Sequence, residues 1–242
     1  MGDGRGSSPV PKVWLTISSP RYFSDESPNG VMMILIIDYG MGNLRSVSKA
    51  LESLGAKVCV TSEPDEVGKA QKLILPGVGA FTSAMRELAA RKLIEPIKAH
   101  LASGKPYLGI CLGLQLLFEE SEEGEGGKGL GVLAGAVRRF SLNGTSRLKV
   151  PHMGWNQVQQ QATRDKQQQG CPLLKGIPEG SFFYFVHSYY AEPASRSIVA
   201  LETEYGGRFA AMVWRDRLFA TQFHPEKSQA LGLKLLKNFV EL

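Results

Sequence analysis

From residue 33 onward the chain alternates between short apolar runs and stretches with helical spacing. Ile34-Leu35-Ile36-Ile37 has no polar interruption, which predicts a strand buried on both faces. Leu44, Val47, Leu51 and Leu54 then fall on one face of a helix over 44–54. Lys72-Leu73-Ile74-Leu75 predicts a second strand, followed by a helix rich in Ala and Leu. Tyr107-Leu108-Gly109-Ile110 predicts a third strand, which runs into an amphipathic helix from Leu112 to Phe118. Leu218 to Phe223 reads as a late strand. Strands alternating with helices imply an α/β layered fold, in which ligands bind beyond the carboxyl ends of the strands. The glycine-bearing turns Asp38–Asn43 and Pro76–Phe81 and the corner at Cys111 all lie at such ends, so they are expected to converge.

With 242 residues, 43% of them hydrophobic, the chain can bury one substantial core in a single domain, here 33–242. Residues 1–32 differ: they are rich in Gly, Ser and Pro, and read as a disordered N-terminal extension or the product of an upstream start. They lack the apolar core of a signal peptide, and their acidic residues argue against a transit peptide. A short strand over Val13–Ile17 is the alternative within this tail. The net charge of +5 is scattered, with no basic block and no aromatic-basic interleaving, so neither nucleic acid nor membrane is an expected partner. Three cysteines, an odd number, fit a reducing cytoplasm. Cys59 reads as a core residue and Cys171 as incidental.

Cys111 stands where a strand turns sharply into a helix, between Gly109 and Gly113. Such a corner pushes a side chain out of the backbone, and the glycines relieve the crowding. The N–H groups of the following helix favour negative charge and can hold an oxyanion. A lone cysteine is more often a small hydrophobe. His224-Pro225-Glu226 changes that balance, because an imidazole beside a thiol takes its proton and a carboxylate behind the imidazole orients it. Alternation along an extended chain points His224 and Glu226 to the same side. Whether they reach Cys111 is a matter of tertiary structure.

Other patterns carry less. Gly40-Met41-Gly42-Asn43-Leu44-Arg45 begins like a dinucleotide fingerprint, but arginine stands in place of its third glycine, so no cofactor is expected. The acidic run Glu119–Glu123 reads as a solvated helix end and loop, and Gln159–Gln161 with Gln167–Gln169 as a polar surface loop. His152 and His187 have no metal-like spacing, so no metal site is expected.

Gly109-Ile110-Cys111-Leu112-Gly113-Leu114-Gln115 and Gln222-Phe223-His224-Pro225-Glu226 resemble the two signatures of class I glutamine amidotransferases. Asp38-Tyr39-Gly40-Met41-Gly42-Asn43, Pro76-Gly77-Val78-Gly79-Ala80-Phe81, His152-Met153-Gly154-Trp155-Asn156 and Phe185-Val186-His187-Ser188-Tyr189-Tyr190 are similar to motifs of one branch, the glutaminase subunits of imidazole glycerol phosphate synthases in histidine biosynthesis. The resemblance implies a three-layer, flavodoxin-like fold with a mostly parallel central sheet. It implies Cys111 as nucleophile, His224 as base and then acid, and Glu226 as orienting group. The oxyanion would rest on the Leu112 amide and on the Val78–Gly79 turn, after a peptide flip. Gly77, Gln115, His187, Ser188 and Tyr189 would bind glutamine. The partner implied is a barrel-shaped cyclase subunit that receives ammonia, docked near Asn43, Trp155, Asn156 and Lys227. Amidotransferases serving anthranilate, purine or pyridoxal phosphate synthesis, and a catalytically silent module of the same fold, are the alternatives. The Asp38–Asn43 and His152–Asn156 motifs speak against the first group, and an intact Cys111, His224 and Glu226 against the second.

Overall fold

Each apolar strand sends alternate residues to opposite faces of one sheet. On the first strand, Ile34 and Ile36 enter one core cluster, Leu35 and Ile37 the other. The computed structural model describes residues 33–141, 148–161 and 170–242. The predicted tail and the Gln167–Gln169 stretch lie outside the described residues.

The first half comprises β1 (Met33–Ile37), α1 (Leu44–Ser53), β2 (Lys57–Thr61), α2 (Pro64–Lys69), β3 (Lys72–Gly77), α3 (Phe81–Ala90), α4 (Ile94–Ala102) and β4 (Tyr107–Cys111). A one-turn helix, α5 (Leu112–Gln115), leads to β5 (Phe118–Ser121), β6 (Gly127–Lys128) and β7 (Leu133–Arg139). Then come β8 (His152–Gln157), β9 (Gln159–Gln160), β10 (Phe182–His187) and β11 (Tyr189–Pro193). The chain closes with β12 (Val199–Glu204), β13 (Arg208–Arg215), β14 (Leu218–Thr221) and α6 (Gln229–Val240).

The central sheet has the order β2-β1-β3-β4-β14-β13-β12-β9. Its first five strands are parallel and the remaining pairings antiparallel. Leu51 of α1 and Leu235, Leu236 and Phe239 of α6 pack on one face; Val67 of α2, Leu88 of α3 and Ile97 of α4 pack on the other. Helices on both faces explain why the parallel strands are apolar without alternation. Two smaller sheets, β10-β8 and β11-β7-β5-β6, complete the domain.

Five expectations need correction. The helix after Cys111 is one turn, not seven residues. Leu112, Leu114, Leu116, Leu117 and Phe118 are all buried, so there is no solvent face for an amphipathic helix, and the chain turns into β5 instead. The acidic run is a strand and a clasp: Glu122 pairs with Arg138 at 2.7 Å, and Glu123 accepts from the Phe81 amide at 2.6 Å at the start of α3. Gln159–Gln160 are not loop but an edge strand paired with Leu201 and Glu202, because ladder bonds need backbone and not apolar side chains. Cys59 is only half-buried, since β2 is the edge of the sheet, while the incidental Cys171 is a buried core residue.

Substitutions at two glycines should move stability in opposite directions. A Cβ on Gly113 would lie 1.9 Å from the Leu75 carbonyl oxygen, a backbone atom that cannot step aside; one on Gly68, inside α2, meets nothing within 4 Å. Gly113→Ala should therefore destabilise by about 3 kcal/mol, and Gly68→Ala stabilise by roughly 0.5–1 kcal/mol, both read as shifts in urea midpoint.

Candidate active site

The corner after β4 is set by backbone packing. Gly113 lies against the Leu75 carbonyl of β3, and a Cβ on Gly109 would meet the Gly113 carbonyl oxygen at 2.6 Å. Held there, Cys111 takes φ 55° and ψ −104°, a conformation non-glycine residues rarely adopt. Gly77 at the end of β3 stands opposite Cys111 in register. The expected convergence of turns is present: a Cβ on Gly77 would meet the Tyr39 hydroxyl at 2.4 Å and the Leu112 Cβ at 2.9 Å, and one on Gly79 would meet Met41 Cε at 2.8 Å. Gly79 has φ +99°, and Val78 beside it is exposed. Of the positions expected to form an oxyanion site, Leu112 thus lies against Gly77, directly before the Val78–Gly79 turn.

β14 is the other neighbour of β4, and His224 lies just beyond its end. The His224 amide donates to the Tyr184 carbonyl at 2.9 Å, and its carbonyl accepts from the Ser228 hydroxyl at 2.7 Å. His224 Nδ1 lies 2.8 Å from Glu226 Oε1, with both side chains buried. The pair forms differently from the expectation. Pro225–Lys227 is a 3-10 turn, so Glu226 curls back to its imidazole instead of alternating along a strand. Burial alone would strip His224 of its proton, but the Cys111 sulfur and the Glu226 carboxylate outweigh it and hold the pKa up at about 10. Nε2 is buried without a hydrogen bond of ordinary geometry and interacts with the sulfur. The thiol itself points toward the Val186 carbonyl, 3.9 Å away.

The expected glutamine-binding residues separate into two groups. Gln115 is buried, with Nε2 donating to the Tyr189 carbonyl at 2.8 Å and to Gln222 Oε1 at 3.2 Å. Ser188 and Tyr189 are half-buried at the junction of β10 and β11. His187, by contrast, has no ring nitrogen to give a ligand. Nδ1 donates to the Tyr189 carbonyl at 2.8 Å, and Nε2 faces His152 Nδ1 at 3.0 Å. His152 Nε2 in turn accepts from Asn156 Nδ2 at 3.3 Å. Burial lowers the pKa of His152 to about 4 and of His187 to about 3, so both are neutral, as this donor order requires. His152 and Gln222 contact the expected site residues His187, Gln115 and Cys111, which spacing did not reveal. For Gln222 the available signal was its place two residues before His224.

The residues expected to face a partner do not form one cluster with a single role. Asn43 caps α1, its Oδ1 accepting from the Ser46 amide at 3.4 Å. Trp155 is 45% exposed and meets the Tyr184 ring edge-on at 6.2 Å, while Lys227 Nζ sits 5.9 Å from the Tyr184 centroid. Met153 and Phe182, both exposed, extend this apolar face of β8 and β10 beyond what the sequence suggested. Among the described residues no group of His, Cys, Asp or Glu could hold a metal ion, and no helix is long and apolar enough to cross a membrane.

A family model, Glutamine amidotransferase class-I, matches residues 35–242. The chain belongs to the class-I glutamine amidotransferases. Among similar members of known sequence is the imidazole glycerol phosphate synthase subunit HisH of Syntrophotalea carbinolica, 52% identical over 87% of this chain and 100% of the relative. The HisH subunit of Rhodopirellula baltica is 54% identical over 86% of this chain and 96% of the relative. Among solved structures, PurLQS from Thermotoga maritima aligns with a TM-score of 0.64 at 18% identity, covering 87% of this chain and 98% of its own. The glutaminase domain of Trypanosoma brucei CTPS aligns with a TM-score of 0.58 at 15% identity, covering 87% of this chain and 94% of its own. At such identities these two support the amidotransferase fold alone.

The buried imidazoles give this amidotransferase opposing pH limbs. For His152 and His187, depressed below the ordinary 6.5, stability is full above pH 6.5 and lost as pH falls toward 4 and 3. For His224, raised to about 10, stability is full below pH 6.5 and lost as pH rises through 10. His152→Phe, which keeps the stacking on Phe185 and Tyr205, should flatten the acid limb of unfolding free energy against pH and leave the alkaline limb in place. An unchanged acid slope would count against this account.

Proposed function

We infer that this chain is the glutaminase subunit of an imidazole glycerol phosphate synthase in histidine biosynthesis, hydrolysing glutamine to glutamate and passing ammonia to a cyclase subunit. The observation that carries the chemistry is the buried His224–Glu226 pair facing the Cys111 sulfur. The pathway rests on the HisH relatives, at 52% and 54% identity.

In this reading His224 takes the Cys111 proton, and the sulfur attacks the side-chain carboxamide carbon, Cδ, of glutamine. Negative charge moves to the amide oxygen, which the Leu112 N–H and an amide of the Val78–Gly79 turn receive. Each such donor is worth about 3 kcal/mol in the transition state. His224, with a high pKa, then protonates the leaving nitrogen, ammonia departs and a thioester remains. Water, deprotonated by the same imidazole, releases glutamate. Glu226 keeps Nδ1 protonated and Nε2 turned to the sulfur throughout. Gly77, Gln115, Ser188 and Tyr189 line the glutamine site, and His187 supports it from behind.

Ammonia that escapes to water is protonated and ceases to be a nucleophile, so the reaction calls for an enclosed path to an acceptor. We assign the cyclase subunit as the partner. Its docking face is assigned to Trp155 and Lys227, which both meet the Tyr184 ring, with exposed Met153 and Phe182 on the same strands; Asn156, turned to His152 and Glu204, and Asn43, the cap of α1, are not assigned to it. The compartment we assign is the cytoplasm.

Purified chain alone should hydrolyse glutamine slowly, and a cyclase subunit holding its nucleotide ligand should raise the rate strongly. Cys111→Ala should abolish it, and Glu226→Gln lower kcat by about two orders of magnitude or more. No response to the cyclase would reassign the pathway; no hydrolysis under any condition would reject the enzyme. Lys227→Ala should lower the ratio of cyclised product to glutamate while leaving the urea midpoint unchanged, and an unchanged ratio would remove Lys227 from the interface.

A further inference from the structure

Resting on the glutaminase reading, we propose that Gln222 is a further catalytic residue, whose side-chain amide donates to the Cys111 sulfur and stabilises it whenever it carries the negative charge. Gln222 is fully buried, with Nε2 at 3.7 Å from Sγ, a reach that suits the large radius of sulfur. The amide cannot turn over. Its Oε1 accepts from Gln115 Nε2 at 3.2 Å, so a reversed amide would set N–H against N–H there and oxygen against sulfur. The backbone is pinned as well, the Gln222 amide donating to the Ala211 carbonyl at 2.8 Å.

Gln115 is itself held. Its second N–H goes to the Tyr189 carbonyl, which also accepts from His187 Nδ1, and His187 Nε2 accepts from His152 Nδ1. Asn156 closes the far end of the chain at His152 Nε2. The Tyr189 carbonyl can only accept, so Gln115 must present its N–H groups to it and to Gln222 Oε1, and this turns the Gln222 N–H toward sulfur. A network satisfied in this way is rigid, which is what aiming a donor at a reacting atom demands. The buried imidazole pair shares the Tyr189 carbonyl but does not set the direction of the two amides.

In acylation the sulfur lone pair forms the C–S bond, the C–N bond breaks, and nitrogen leaves as ammonia with a proton from His224. In deacylation the oxygen of water forms the C–O bond, a water proton goes to His224, and the C–S bond breaks with its electron pair returning to sulfur. Gln222 transfers no proton. It acts at both ends of the cycle, enriching the thiolate before attack and easing its departure from the thioester.

The test is the pH dependence of Cys111 alkylation by iodoacetamide, followed on the Cys111 peptide so that Cys59 and Cys171 do not contribute. In Gln222→Met, which keeps volume but has no donor, the inflection should move up by about one pH unit, so that alkylation below it slows roughly tenfold. Glutamine turnover should lose kcat with KM little changed. A folded variant with a profile superimposable on the wild type overturns the proposal. Should Gln222→Met not fold, Gln222→Glu decides, because it keeps an acceptor for Gln115 while removing the donor; its inflection must also rise, and an unmoved one overturns the proposal. In the unaltered protein, the side-chain amide resonance of Gln222 must shift when Cys111 is alkylated, and a constant resonance overturns it too. These readouts concern sulfur alone. A wild-type chain inactive toward glutamine would therefore reject the glutaminase reading while leaving the alkylation result to judge Gln222.

Discussion

The contact between the Cys111 corner and the backbone of β3 is the constraint from which the site follows. Gly113 leaves no room for a Cβ against the Leu75 carbonyl, and Gly109 none against Gly113, so two parallel strands and the turn after them meet backbone to backbone. That packing holds Cys111 in its rare conformation and presents its sulfur between the ends of β3 and β14. Register does the rest: Gly77 lies opposite Cys111, and Thr221 opposite Ile110. The Val78–Gly79 turn and the His224 turn therefore arrive from the two flanking strands. A one-turn helix supplies amides to this corner, but too little length for a macrodipole to dominate, so the nearby donors and His224 carry the electrostatics.

Three buried imidazoles show how environment divides roles among identical side chains. His152, His187 and His224 are all removed from water, which disfavours the charged form in each. Only His224 has a carboxylate on one nitrogen and sulfur beside the other, and these reverse the effect of burial. His187 and His152 have neutral partners and stay neutral, which keeps one donor and one acceptor on each ring. One region thus holds an imidazole that favours its proton and, close by, two that stay neutral. The buried polar atoms without a hydrogen bond of ordinary geometry include His224 Nε2, Glu226 Oε2 and the Tyr39 hydroxyl. Among the described residues the other two such atoms are His100 Nδ1 and the Tyr107 hydroxyl.

Much of the architecture was legible because its signals are local. Ile34–Ile37 and Leu73–Leu75 are too apolar for anything but doubly buried strands, and the stripe from Leu44 to Leu51 specifies one helix face. The Leu112–Phe118 helix failed for the complementary reason. Its apolar residues have no polar face, and only the tertiary enclosure shows that the run is a turn entering a strand. Gln159–Gln160 failed because an edge strand is made by ladder bonds, which side-chain composition does not record. In the site, the type and order of Cys111, His224 and Glu226 were readable, but their approach was not.

The sequence by itself determined the alternation of strands and helices, the glycines that permit a tight corner, and the chemical kinds of group available to a thiol-based acyl transfer. These are properties of single residues and their immediate neighbours. Tertiary structure alone decided that β14 lies beside β4, that Glu226 reaches His224 through a 3-10 turn, and that His187 supports the pocket while Gln222 touches the sulfur. Each of those outcomes depends on the register of strands or the aim of a buried amide, which is fixed by contacts between residues as far apart as 111 and 222.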